Sequence, residues 1–365
     1  MAAVLTRLMC AILATAVLGG ALQADDAEDG FRDYKADSKA SYFGADFSPD
    51  GQILAAPAVN GPKQRGLVIL WDVRTGKVIG RLSDFTAGCG RLAFSPHAER
   101  LAVACTNGSL HIFSRNRDVW RRMATVALRG ADAYSCLEDL QFTSDGNSII
   151  TSAHELDRSV GSTVFICRNL LVLTPSSDAV DSRAIPIEPS NVTAVRLVGQ
   201  DKSQVLISRA RYSTKSHLAI IDLASGRTVN TLQLPDTTVK AFSGHRHDLL
   251  VSVANAGDEF AAVHNGIVYK INVRTLGFAK LFANPDPDKA FGAISLSADA
   301  KVLATCSLDG GLQLWDFTSG RLLWKQKELK VKSVQFSPQG RLLATTAIGS
   351  NVVRVWDIHD VLREE

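Results

Sequence analysis

The chain carries no excess of charge of either sign. Across 365 residues, 40 Lys and Arg face 37 Asp and Glu, a net of +3, and the two signs are interspersed. That balance gives neither nucleic acid nor an anionic membrane an electrostatic footprint to follow. Aromatics are few at 7%, and the six cysteines are too sparse for a disulfide framework. The sequence has no Cys-x-x-Cys pair for structural zinc, no Cys-x-x-Cys-His for haem and no Gly-x-Ser-x-Gly elbow for a nucleophilic serine. Glycine has no three-residue period, and no helical period is sustained. What is present is a 46% hydrophobic content, that of a globular protein.

One apolar run stands apart. Arg7 is the single charge in residues 1–24, an apolar stretch follows from Leu8 to Leu22, and small residues up to Ala24 precede Asp25-Asp26. A basic start, a short apolar centre and small residues before an acidic step read as a secretory signal peptide over 1–24. The stretch falls short of the roughly 20 residues of a membrane span, which favours cleavage after Ala24 over an uncleaved anchor or a chain kept in the cytosol. The expectation is an exported protein, periplasmic or secreted, with a mature domain of 25–365 and no span after cleavage. Met9 before Cys10, where a small residue is expected, argues against lipidation. Of the remaining cysteines, Cys105 and Cys306 lie in the runs LAVAC and LATC and read as buried core residues. Cys89 and Cys136 precede a strand by a similar distance, which leaves a bridge between them open.

The rest is organised by a repeat of about fifty residues. The turn FSPDG at 47–51 returns as FSPHA at 94–98, FTSDG at 142–146, LSADA at 296–300 and FSPQG at 336–340. A short apolar strand follows each, then a second: LVILWDV at 67–73, LHIFS at 110–114, VFICR at 164–168, LQLWDF at 312–317 and VRVWDI at 353–358. Two weaker copies fill the gap, from 194–208 to 218–223 and from 241–253 to 267–273. Tight turns RTGK, ASGR and TSGR, where glycine supplies a positive φ, lead into a fourth strand. Four antiparallel strands cannot bury both faces alone, and radial stacking solves that. The fold class predicted is all-β, a β-propeller of seven four-stranded blades in a single domain, with six or eight blades as alternatives. The seventh copy ends after its third strand, while Phe31–Lys35 stands before the first blade, so pairing the two closes the ring and covers both edges.

These residues resemble the WD-repeat β-propeller family. The sixth copy, LATCSLDGGLQLWDFTSGRLLW at 303–324, follows the family pattern throughout, and the first and seventh carry Trp71-Asp72 and Trp356-Asp357. The resemblance covers most of 31–361 and is strong in copies one, two, six and seven. It implies a hydrogen-bonded set of Trp, strand hydroxyl, turn Asp and a His from a Gly-His pair. Copy six offers Trp315, Thr305 or Ser307, and Asp309, followed by Asp316, but no His. In copy two Asn107 replaces the turn Asp and Phe113 the Trp, and Gly244-His245 falls in an inner turn. Apolar burial between blades is therefore expected to hold the ring more than those networks do.

Chemistry is sparse. Gly88-Cys89-Gly90 reads as a turn rather than a phosphate loop. His154, Glu155 and Asp157 read as a solvated loop, and His217 and His264 lie in equivalent loops of later blades, so no metal, cofactor or catalytic residue is assigned. Loops between second and third strands swell in copies one, three, four and five to NGPKQRG, HELDRSVGS, RARYSTKSH and NAGDEFAAVHNG. Such loops on a rigid scaffold carry function. The favoured expectation is a non-enzymatic scaffold that binds a protein or peptide through this face. Arg209, Arg211, Tyr212, Lys215 and His217 form its basic centre, flanked by Glu155, Asp157 and Arg158 on one side and by Asp258 and Glu259 on the other. The alternative is a propeller enzyme or small-ligand or metal-binding protein using polar residues at the central channel mouth.

Overall fold

Two kinds of turn set the strand lengths. In the turn after Phe47, Ser48 Oγ donates to Asp50 and accepts from Ile53 N at 2.9 Å. The same hydroxyl-to-carboxylate bond recurs at Thr143–Asp145 and Ser297–Asp299. The second kind follows the third strand, where Asp72, Asp222 and Asp316 each accept from the backbone N–H and hydroxyl of Thr75, Ser225 and Ser319. The Asp of the Trp-Asp pair thus caps the turn into the outer strand, which explains why a hydroxyl stands three residues on.

The computed structural model describes residues 30–35, 40–60, 65–127, 137–157, 164–176, 179–199, 201–210, 217–235, 250–253, 258–264, 266–275, 277–285, 291–307, 311–326, 330–347 and 350–363. After β1 (Phe31–Lys35), blade 1 holds β2 (Ala40–Tyr42), β3 (Asp46–Phe47), β4 (Ile53–Asn60), β5 (Arg65–Asp72) and β6 (Val78–Leu82). Blade 2 holds β7 (Cys89–Phe94), β8 (Arg100–Cys105), β9 (Ser109–Asn116) and β10 (Val119–Ala127). Blade 3 holds β11 (Leu137–Phe142), β12 (Ile149–Asp157), β13 (Val164–Pro175) and the first part of β14 (Val180–Val198), whose second part opens blade 4 with β15 (Gln204–Ala210), β16 (His217–Asp222) and β17 (Thr228–Gln233). Blade 5 holds β18 (Leu250–Val253), β19 (Glu259–His264), β20 (Ile267–Asn272) and β21 (Phe278–Ala283). Blade 6 holds β22 (Phe291–Leu296), β23 (Val302–Ser307), β24 (Leu312–Asp316) and β25 (Leu322–Gln326). Blade 7 holds β26 (Val331–Phe336), β27 (Leu342–Ala347) and β28 (Val352–Asp357), and a short helix α1 (Ile358–Val361) follows.

Seven blades form a ring, as the repeat predicts. Middle strands are apolar on both faces because each face packs on a neighbouring blade. Along β4, Leu54, Ala56 and Ala58 join Val353 and Val355 of blade 7, while Ile53 and Ala55 join Leu101 and Val103 of blade 2. That two-residue alternation repeats around the ring and yields one buried apolar cluster for each seam between blades.

Closure follows the predicted pairing. β1 lies antiparallel to β28 from Phe31 opposite Trp356 to Lys35 opposite Val352. Asp33 accepts from Arg354 Nε at 2.7 Å and Nη2 at 3.0 Å. The fully buried Tyr34 donates its hydroxyl to Val73 O at 2.6 Å, and Arg32 donates to Arg74 O at 2.8 Å. The strand that completes blade 7 is thereby fastened to blade 1.

The structure corrects the fifth copy. Its inner strand is β18, within the segment read as the second strand, and β19 occupies half of the presumed loop NAGDEFAAVHNG. The weak spacing of this copy hid a shift of one whole strand. His154, Glu155 and Asp157 likewise belong to β12, opposite Cys167, Ile166 and Val164, rather than to a loop.

Candidate functional site

The two ends of the ring differ. On the end where second and third strands join, the hairpins of blades 1 and 3 are long: β4 has 8 residues and β12 has 9, against 6 each for β23 and β27. β2 and β3 pair with the same edge of β4 as the two halves of the inner strand of blade 1, with Ala40 opposite Asn60 at the hairpin tip. The opposite end consists of the tight capped turns that hold Lys77, Arg227 and Arg321.

The predicted contact residues divide between what is described and what is not. Arg158, Arg211, Tyr212 and Lys215 lie outside the described residues, as does Asp309. Glu155 and Asp157 stand on the long β12–β13 hairpin, and Arg209 is the register partner of His217 in the β15–β16 hairpin. His217 also lines an open groove of about 550 Å³ between the outer strands of blades 3 and 4, with Pro186, Glu188 and Thr231 on its walls. The acidic flank assigned to blade 5 is displaced. Asp258 precedes β19 at the tight-turn end and pairs with Arg274 at 2.7 Å, and Glu259 pairs with Lys270 at 2.8 Å.

The channel is lined by the inner strands, which use side chains to satisfy one another's backbone. Gln141 accepts from Leu197 N at 2.7 Å, Ser252 from Leu296 N at 2.9 Å and Ser295 from Phe336 N at 2.9 Å. Each acceptor directly precedes the last residue of its inner strand. Asp139 accepts from Val195 N at 3.0 Å and pairs with Arg196. Asp46, half-buried on β3, is within reach of the charges of Asp139 and Arg196, and its withdrawal from bulk water pushes its carboxyl up to about 7. At the long-hairpin mouth the Lys332 ammonium sits 4.0 Å over the Phe43 ring. Burial and then the Arg91 charge push its ammonium below the usual lysine range. Sequence reasoning named the channel mouth but none of these residues, since the inner strands converge only once the ring is closed.

Of the set that the resemblance implies, the bond from tryptophan to a strand hydroxyl is present in blades 6 and 7, with one choice resolved. Trp315 Nε1 donates to Thr305 Oγ1 at 2.9 Å, so Thr305 rather than Ser307 is the partner, and Trp356 repeats the bond to Thr345 at 3.1 Å. In blade 1, where Ala56 takes the hydroxyl's place, Trp71 Nε1 reaches Lys35 O at 3.5 Å instead. Asp357 receives Arg341 at 2.7 Å and caps α1 by accepting from His359 N. Cys105 and Cys306 are buried as expected, and burial pushes the Cys306 thiol up to about 12. Cys89 faces Cys105, not a cysteine of the next repeat, and Cys136 lies outside the described residues. Among the described residues, no group of three or more His, Cys, Asp or Glu is placed to hold a metal ion.

Residues 288–316 and 323–357 match the family model of the WD domain, G-beta repeat. The chain is similar to apoptotic protease-activating factor 1 of Danio rerio, with 25% identity over 352 residues that cover 88% of this chain and 26% of that protein. The Mus musculus protein of the same name is 22% identical over 317 residues, covering 86% of this chain and 21% of that protein. The chain thus spans about a quarter of the length of the curated relatives it matches. The crystal structure of the Myceliophteria thermophila Cps50 (Swd1) β-propeller domain superposes with a TM-score of 0.71 over 89% of this chain and 98% of that one, at 14% identity. At that identity the likeness is one of fold. With WD-type repeats matched in blades 6 and 7, and seven four-stranded blades closed into one ring, the chain has the fold of a seven-bladed β-propeller.

Proposed function

We propose that this chain is a non-enzymatic interaction scaffold, exported from the cytoplasm, that holds a protein or peptide partner on the face of its long hairpins. The observation that carries this reading is the asymmetry of the two ends: the long hairpins and the cationic mouth of Arg91 and Lys332 stand on one of them. Two cations crowded at one opening favour a partner with an acidic segment, and moving Asp258 and Glu259 away leaves that face more basic than the sequence suggested. The curated relatives are named as activators of a protease, and a module matching a quarter of such a protein suits engagement of another polypeptide. Export rests on the Arg7 to Ala24 pattern.

The test is crosslinking in the native cell, followed by affinity measurement with the partner recovered. Changing Arg209, Arg211 and Tyr212 together to Ala should weaken binding by about 2 kcal/mol or more, because Arg and Tyr anchor interfaces through large area and directed hydrogen bonds. Changing Lys77, Arg227 and Arg321 at the opposite end should leave it unaltered. Loss of the partner in the second variant and not the first would assign the wrong face. Export is tested separately by N-terminal sequencing, with Asp25 expected as the first residue of protein recovered outside the cytoplasm.

A further inference from the structure

We propose that Cys89 and Cys105 are a modification site, the two halves of a cross-strand disulfide formed with a small-molecule or protein disulfide as oxidant. The two residues are direct partners in the β7–β8 ladder, and their sulfurs lie 3.7 Å apart, both buried. Register partners on antiparallel strands have Cα atoms roughly 4.5–5.5 Å apart, inside the range a disulfide spans, so closing the bond needs side-chain rotation and no strand movement. Corresponding register pairs in other blades, Phe291 with Ser307 and Val331 with Ala347, hold no such chemistry.

The surroundings favour attack by one sulfur. Hydrogen bonds from the Cys89 thiol, and then from His111 and Ser109, hold Cys105 below the usual thiol range, whereas the same contact and burial push Cys89 up. His111 is fixed for this by Ser109 Oγ at 3.0 Å on Nε2 and Thr125 Oγ1 at 3.1 Å on Nδ1. Room for the Cys89 sulfur comes from blade 1, since a Cβ at Gly66 would overlap both that sulfur and the Ala87 carbonyl.

The step balances as thiol–disulfide exchange. The Cys105 thiolate attacks one sulfur of the donor disulfide, forms a mixed disulfide and expels a thiolate. Cys89 gives up its proton to the expelled thiolate and attacks the Cys105 sulfur, expelling the second donor thiolate. Two electrons and two protons pass from the cysteine pair to the donor, which leaves as two thiols. Because both sulfurs are buried, the exchange proceeds during folding or when the β8–β9 turn opens. Export would supply an oxidising compartment, but the chemistry does not depend on it.

Purified, reduced protein is refolded and incubated in glutathione disulfide, then denatured, alkylated and digested. A peptide linking Cys89 to Cys105 is expected, with two fewer alkylatable thiols, a mass about 2 Da lower and no bound glutathione. The melting temperature should rise by several degrees over the reduced form, because the link closes a loop in the unfolded chain. Cys105→Ser should abolish both effects, and Cys306→Ser should leave the link in place. An unchanged thiol count, a link from Cys89 to Cys136, or glutathione retained on Cys105 would each overturn the proposal, and all three are read on the wild-type chain.

Discussion

Two seams make the same ring continuous by opposite means. Between blades 7 and 1 the ends of the chain meet, and β1 is held to β28 by its ladder, the Asp33–Arg354 pair and the tilted Phe31–Trp356 contact at 5.0 Å. Between blades 3 and 4 no ends meet: β14 leaves blade 3 as its outer strand and enters blade 4 as its inner strand. The first seam needs many specific side chains, since nothing covalent holds it. The second is tied by backbone and reinforced by Asp139, which bonds both Val195 N and Arg196 across the seam, by Gln141 on Leu197 N and by Arg183 on Ala224 O. A seam's dependence on side chains should therefore scale with how little backbone crosses it.

Breaking the first seam should have the largest effect. Deleting residues 25–38 removes β1, exposes the edge of β28 and leaves the buried site of Tyr34 empty. A loss of at least about 4 kcal/mol is expected from these combined terms, with aggregation through the open edge. Calorimetry and light scattering check it, and a deletion variant with the parent melting temperature would disprove this closure.

Breaking the second seam should cost less. Asp139→Ala strands the Val195 N–H and removes the carboxylate partner of Arg196, which keeps its bond to Val195 O, but leaves β14 intact, for an expected loss of about 2 kcal/mol in urea unfolding. If this variant is as damaged as the deletion, continuity of backbone is not what secures blades 3 and 4.

The same contrast explains what could be read in advance. Blades 1, 6 and 7 repeat the turn and Trp-Asp signals closely, so their strands, the tight turns and the pairing of β1 were legible. Blade 5 has no turn Pro or Trp to mark its phase, and the run LLVSV suits an inner strand as well as a second one, so the pattern slipped by one strand. Cys89 and Cys105 are sixteen residues apart, and their meeting depends on the β-bulge between Cys89 and Arg91, which shifts the register without a sequence signal. Asp46, Asp139 and Arg196 come from three blades, and their proximity is a property of ring closure that no local pattern encodes.

A smaller effect separates the channel from the seams. Asp46 has a carboxyl raised to about 7 by burial, whereas in the unfolded chain it titrates near 4. The fold therefore keeps this proton over a range where the unfolded chain has lost it. The associated stability is complete below about pH 4, declines as pH rises through about 7, and is constant above that. The partial exposure of Asp46 to solvent reduces the full amount, leaving about 1–2 kcal/mol across that window. Asp46→Asn should flatten this part of the stability profile. An unaltered slope in the variant would show that Asp46 is ionised in the folded ring.

The smallest effect tests whether the regular blades are as well built as they look. Blade 6 carries one of the two matched repeats, yet its inner turn ends on Ala300 at φ 56°, where blades 1, 3 and 7 place Gly51, Gly146 and Gly340 at 72°, 71° and 75°. A Cβ in that left-handed conformation crowds its own backbone, and glycine relieves this. Glycine also adds freedom to the unfolded chain, which offsets part of the gain. Ala300→Gly should therefore stabilise the ring by about 0.5 kcal/mol, while the reverse exchange, Gly340→Ala, should destabilise it by about 1 kcal/mol. The latter loses the relaxed turn and places a Cβ 3.4 Å from Ala298 N. Urea midpoints of the two variants, measured side by side, decide the matter. If Ala300→Gly lowers the midpoint, the unfolded-chain term outweighs turn strain, and the alanine turns of blades 2 and 6 are not flaws in those blades.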